Sequence, residues 1–219
     1  MALKDSITDA YNKLEELDRE KSEFTYKVTH ELRSPLSAIQ SLLKSIEEGY
    51  AGEISVKAKE LIIRSEKRTS FLLTLVNGLL DLIAGRIRKP KEGDIKSVDI
   101  NTAVKNTLDL MQEKTKAKNL KIKIKSTPTP TYLRIVPDDL DIILTNLIDN
   151  SVKYTEQGGT IRVNNLLTDK EIKIEISDTG IGITKDDLNK IFDEFYRSKN
   201  AKAVELHGTG LGLPIVKNL

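Results

Sequence analysis

The 219-residue chain contains no cysteine and no tryptophan, only 2 histidines, and aromatic residues at 5%. Without cysteine there is no disulfide framework, iron-sulfur cluster or thiol nucleophile, and two histidines argue against a structural zinc site. An excess of charge of one sign is missing too. Lys and Arg number 35 against 33 Asp and Glu, and a net +2 gives no broad basic footprint for nucleic acid. Long hydrophobic runs are also lacking. The most apolar stretch, Phe71 to Ile83, is too short to span a bilayer and is interrupted by Thr74, Asn77, Gly78 and Asp81. No charged-then-apolar leader opens the chain. The expectation is a soluble, cytoplasmic portion with no membrane segment of its own, compatible with a membrane-anchored parent.

What is present is charge, at 31% of residues, and helical periodicity. From Leu3 the apolar positions Leu3, Ile7, Ala10, Leu14, Leu17, Phe24 and Val28 follow a heptad seam broken only at Lys21. Beyond Phe24 the steps lengthen through Val28, Leu32, Leu36, Ile39, Leu43 and Ile46, a stutter that unwinds a supercoil near residue 30. Glu47 to Ser55, with Gly49 and Gly52, reads as a turn between helices. A second seam then runs through Ala58, Leu61, Ser65, Leu72, Leu75, Leu79 and Leu82, widened by Ile62, Val76 and Ile83. Two helices cannot close a core alone, so two copies are expected to form a four-helix bundle.

The stretch from Gly85 to Ser97 reads as a linker, with a second domain from Val98. There, Ile100 to Lys118 is helical, and Leu120, Ile122 and Ile124 alternate with Lys121, Lys123 and Lys125 as a strand with one wet face. After a turn at Thr127 to Pro130, Pro137 opens a helix to about Tyr154. Two strands follow, near Thr160 to Leu166 and Lys170 to Ser177. The fold class is α+β: a helical hairpin forming a dimeric bundle, then an α/β sandwich.

Four places carry candidate chemistry. On the Pro137 helix, Leu140, Ile143, Leu144, Leu147 and Ile148 form the buried stripe, while Asn146, Asn150 and Lys153 share another face. Taken alone, that face is an ordinary wet one. The period of two that buries Ile172, Ile174 and Ile176 aims Asp178 with them, where a carboxylate needs a donor such as an exocyclic amine. Gly180 and Gly182 after it permit close approach, although a tight turn with a capping Asp fits the same residues. Gly208-Thr209-Gly210-Leu211-Gly212 precedes a helix start and would offer free amides to phosphate, with Arg197 to His207 as a polar lid. It follows no strand, which disfavours a dinucleotide fingerprint.

In the first helix, His30 lies two residues past the seam position Val28, a rotation of about 200°, and so faces water. At pH 7 roughly three quarters of a free imidazole is neutral and nucleophilic. Glu31 is placed to orient the ring or take its proton, and Pro35 is expected to bend the helix one turn away.

Together these residues closely resemble a sensor histidine kinase core of two-component signalling, over nearly all of the chain after about Phe24. The match comprises the box His30-Glu31-Leu32-Arg33-Ser34-Pro35-Leu36, the Asn box Asn146 to Thr155, Asp178 to Gly182, Phe192 to Arg197, and Gly208 to Gly212. The resemblance implies a signalling coiled coil over 1–23, a dimerisation and phosphotransfer hairpin over 24–85, a linker over 86–97, and an ATP-binding domain over 98–219 that lacks its C-terminal part. It implies His30 as phosphoacceptor, with Glu31 as its base. Asn150 would coordinate Mg2+ on ATP with Asn146 nearby, Lys153 and Tyr154 would flank the nucleotide, and Asp178 would accept from the adenine amino group. Gly180, Gly182, Arg197, Gly208, Thr209, Gly210, Leu211 and Gly212 would frame nucleotide and lid, with Phe192 and Phe195 anchoring the latter. Ser34 stands where the family more often has Thr or Asn, a position implicated in regulator dephosphorylation. The implied partners are a second copy of the chain and the receiver domain of a response regulator. A non-catalytic, dimeric regulator-docking module is the alternative.

Overall fold

The computed structural model describes residues 2–87, 90–127, 129–168, 171–205 and 208–219. Of the positions singled out above, Arg88 and Lys89 in the linker, Pro128, Lys170 and His207 lie outside the described residues, as do the side chains of Leu3, Ile7 and Ala10. The chain forms two compact units, residues 1–88 and 89–219.

The first unit is an antiparallel hairpin of α1 (Ala2–Glu47) and α2 (Val56–Ile87). Gly49 and Gly52 take φ of +93° and +81° in the turn between them, a conformation that glycine adopts without a Cβ penalty. Pro35 lies inside α1, which runs on through it. The contact between the helices is partly hydroxylic. Ser22, Thr29 and Thr69 are buried, and Gln40 Nε2 donates to Ser70 Oγ at 2.9 Å across the pair. Thr29 and Thr69 return their hydroxyl protons to the carbonyls of Thr25 and Ser65, four residues back, so burial leaves them satisfied.

On α2 the deepest positions are Thr69, Leu73, Val76, Leu80, Leu82 and Ile83. The expected seam is thus split. Its Val76, Leu82 and Ile83 are buried, while Leu61 is 57% and Leu72 44% exposed. Two neighbouring heptad stripes run along α2. One meets α1, and the other, with Leu61 and Leu72, looks outward; Phe24, Val28, Leu32 and Ile39 of α1 are exposed too.

The second unit opens with a 3-10 turn at Glu92–Asp94 and β1 (Lys96–Asp99), so ordered structure begins inside the stretch read as linker. Then come α3 (Ile100–Leu110), α4 (Gln112–Ala117), β2 (Lys121–Lys125), β3 (Tyr132–Ile135) and α5 (Pro137–Tyr154). The remainder is β4 (Thr160–Leu167), β5 (Ile172–Asp178), α6 (Lys185–Leu188), α7 (Lys199–Val204) and α8 (Gly212–Asn218). The expected helix of residues 100–118 is two helices that part at Met111. β2 pairs parallel with β4, and β4 antiparallel with β5; β1 and β3 form a separate antiparallel pair.

Helices α3 and α5 cover this sheet. Leu140, Leu144, Ile148 and Val152, at steps of four, seat α5 on Ile161 and Val163 of β4. Ile143 and Leu147, expected in that stripe, are only half-buried, because the row at steps of four lies flat on the sheet and leaves them at its margin.

Candidate functional site

In the first unit His30, Glu31 and Ser34 are exposed, but Val28, the seam position His30 was expected to turn away from, is 39% exposed too, and the buried residue here is Thr29. The Tyr26 ring stacks on His30 one turn earlier, with centroids 6.4 Å apart. Across the hairpin, Asp81 of α2 sits half-buried. Burial pushes its carboxyl above the usual range, against the pull of Arg33 on α1.

In the second unit, α5 carries Asn146, Asn150, Lys153 and Tyr154 on half-buried positions, with the start of α8 against Asn146. A methyl group on Gly212 would fall 2.7 Å from Asn146 Oδ1, so any side chain there would push the Asn146 amide aside. At the other end, the loop after β5 docks on the last turn of α5. Ile181 N donates to Tyr154 O at 3.2 Å, and a Cβ on Gly180 would fall 2.3 Å from that same oxygen.

Asp178 differs from its expectation. Its side of β5 is the apolar one, but as the strand's last residue it is exposed at the rim rather than buried. Its donors are identified: Ser151 Oγ at 3.1 Å to Oδ2, and Gly180 N at 2.9 Å to Oδ1. Ser151, buried on α5, is a partner of Asp178 that periodicity missed, and the one available signal was its place inside the Asn box. The fixed carboxylate retains outward-facing acceptor capacity, which fits an exocyclic amine.

The segment expected as a lid carries internal bonds. Arg197 Nη2 donates to the carbonyls of Ala201, at 3.2 Å, and Glu205, so this guanidinium braces α7. Gly208 packs on it, with a hypothetical Cβ 3.0 Å from Arg197 Cζ. Phe195, at φ +62°, donates its N–H to Gly210 O at 3.0 Å, and Gly210 itself takes φ +72°. Anchoring thus runs through backbone. The Phe195 ring is 53% and the Phe192 ring 41% exposed, with Lys217 Nζ 5.8 Å from the centre of the latter. Thr209 Oγ1 accepts from Leu211 N at 3.3 Å, and Leu211 is fully buried, so it holds the box in place from beneath. Gly182, at φ +66°, closes the loop after Asp178. Beyond the box, Tyr196 OH donates to Asp187 Oδ1 at 2.5 Å, which with Thr184 holds that carboxyl below its ordinary range and pushes the Tyr196 phenol up.

The sequence model of the His Kinase A (phospho-acceptor) domain matches residues 20–83, and that of the histidine kinase-, DNA gyrase B-, and HSP90-like ATPase matches residues 135–219. The chain belongs to the sensor histidine kinase family, carrying its phosphoacceptor and ATPase domains. It is 36% identical over 214 residues to drug sensory protein A of Synechocystis, covering 93% of this chain and 32% of that protein. With sensor histidine kinase WalK of Bacillus subtilis the identity is 32% over 213 residues, covering 94% of this chain and 33% of the relative. The chain thus spans about a third of the length of these curated relatives. Among solved structures, full-length ShkA in complex with AMPPNP aligns with a TM-score of 0.71 at 25% identity, over 90% of this chain and 40% of that one. The Acinetobacter baumannii histidine kinase AdeS shares the fold, at TM-score 0.55 and 24% identity, over 86% of this chain and 84% of its own.

Proposed function

We propose that the chain is an ATP-dependent autokinase that phosphorylates His30 and passes the phosphoryl group to an aspartate of a response-regulator receiver domain. The observation that carries this reading is the convergence of α5, the Asp178 loop and the glycine box in one unit of a chain whose other unit exposes His30 beside Glu31. Asp178, fixed by Ser151 and Gly180, accepts from the adenine amino group, and Asn146, Asn150, Lys153 and Tyr154 border the rest of the nucleotide. Mg2+, when held by Asn150 with Asn146 alongside, neutralises phosphate charge.

The residues of this chain then do little covalent work beyond the histidine itself. A ring nitrogen of neutral His30 attacks the γ-phosphorus as its bond to the bridging oxygen breaks, and ADP leaves. The proton on the other ring nitrogen passes to Glu31. Ser34, one turn on from His30, is placed to touch water at the phosphohistidine. The outward stripe of Leu61 and Leu72 with Phe24 and Leu32 is the surface by which two copies close a four-helix bundle, and this portion works in the cytoplasm. Among the described residues, no helix is long and apolar enough to cross a membrane.

Calorimetric titration with a non-hydrolysable ATP analogue and Mg2+ separates this reading from a non-catalytic docking module. Saturable binding that weakens about tenfold or more in Asp178→Asn is the expected result. Receiver-domain binding without nucleotide binding would favour the module.

A further inference from the structure

Lys153, on the face of α5 that borders the glycine box, is already engaged. Its Nζ lies 2.5 Å from Asp149 Oδ2, while the other oxygen of that carboxylate accepts from Lys114 Nζ of α4 at 2.7 Å. Two ammonium groups therefore share one carboxylate. Asp149 is mostly buried, at 17% side-chain exposure, whereas Lys114 is 58% and Lys153 34% exposed. Each oxygen of this largely buried carboxylate thus has its own ammonium partner.

The charge arithmetic has a consequence for an anionic ligand. A buried carboxylate facing one lysine forms a closed pair of zero net charge, and drawing that lysine away leaves a desolvated anion, which is costly. With a second lysine in place the trio is +1, and Asp149 stays compensated when Lys153 turns elsewhere. We propose that Lys114 is a positioning residue for the nucleotide: by holding Asp149 it releases the Lys153 ammonium to the triphosphate. The proposal rests on the reading that α5 borders an ATP site. It assigns a binding role to α4, which carries none of the sequence boxes.

The test is a double-mutant cycle on the full 219-residue chain, titrated with Mg2+ and a non-hydrolysable ATP analogue and, separately, with adenosine. Lys114→Met is expected to weaken the triphosphate about threefold to tenfold and leave adenosine unchanged, with Lys114→Arg restoring most of the loss. In an Asp149→Asn background, Lys114→Met is expected to have little further effect, because there is no carboxylate left to hold. Three results overturn the proposal: no loss, an equal loss for adenosine, or the same loss in both backgrounds, which would put Lys114 directly on phosphate. A parent chain that binds no triphosphate overturns the ATP reading and this proposal together. A parent that binds, with an unaltered Lys114→Met variant, overturns the positioning role alone.

Discussion

At the scale of single residues, the site is built from side chains whose partners are fixed before any ligand arrives. Asp178 is the clearest case, since Ser151 and Gly180 orient it. Replacing Asp178 by Asn is expected to cost about tenfold to a hundredfold in affinity for adenosine and ATP alike, and Ser151→Ala only a few-fold, both read by titration. Asp81 makes a pH prediction. Its folded state keeps the proton to higher pH than the unfolded chain, whose value is near 3.8. The stability it contributes is complete below that value and is lost as pH rises through the raised folded one. Asp81→Asn should therefore raise the melting temperature at pH 7, and much less at pH 4. The Asn146, Asn150, Lys153 face was legible in the sequence, because one helical period separates it from the buried row Leu140, Leu144 and Ile148, whereas His30 is exposed although its reference seam at Val28 and Leu32 is exposed as well. Ser151 with Asp178 and Lys114 with Asp149 were not legible, since those pairs join residues 27 and 35 positions apart that only the tertiary fold brings together.

At the scale of elements, the two long helices and α5 announced themselves through sustained periodicity and through the turn glycines. β1 and β3 did not. Each is four residues long, too short for alternation to register, and their pairing satisfies backbone that local pattern cannot assign. The split seam of α2 has the same origin: sequence shows which positions are apolar, but not which of two adjacent stripes meets α1. The outward stripe yields a prediction. Leu72→Glu is expected to convert a dimer to a monomer in sedimentation velocity while leaving helix content unchanged, and a variant that remained dimeric would place the second interface elsewhere. The loop after β5 yields another. Gly180→Ala must displace either the loop or the Tyr154 carbonyl, because the added methyl falls 2.3 Å from that oxygen. A loss of about tenfold or more in nucleotide affinity is expected, with the hairpin melting unaltered.

At the scale of the whole molecule, the chain divides the work. One unit exposes an imidazole on a helical hairpin, and the other gathers a fixed carboxylate, two amides and a glycine box around one rim. Arg197 braces α7 through the carbonyls of Ala201 and Glu205. The central claim is that phosphate travels from the nucleotide of the second unit to His30 of the first. Incubation with γ-labelled ATP and Mg2+ tests it directly. The account predicts an acid-labile, alkali-stable label on the parent chain that disappears in His30→Gln, whose nucleotide affinity is unchanged. Label persisting in His30→Gln, or a parent chain that binds ATP yet takes up no label, would contradict it.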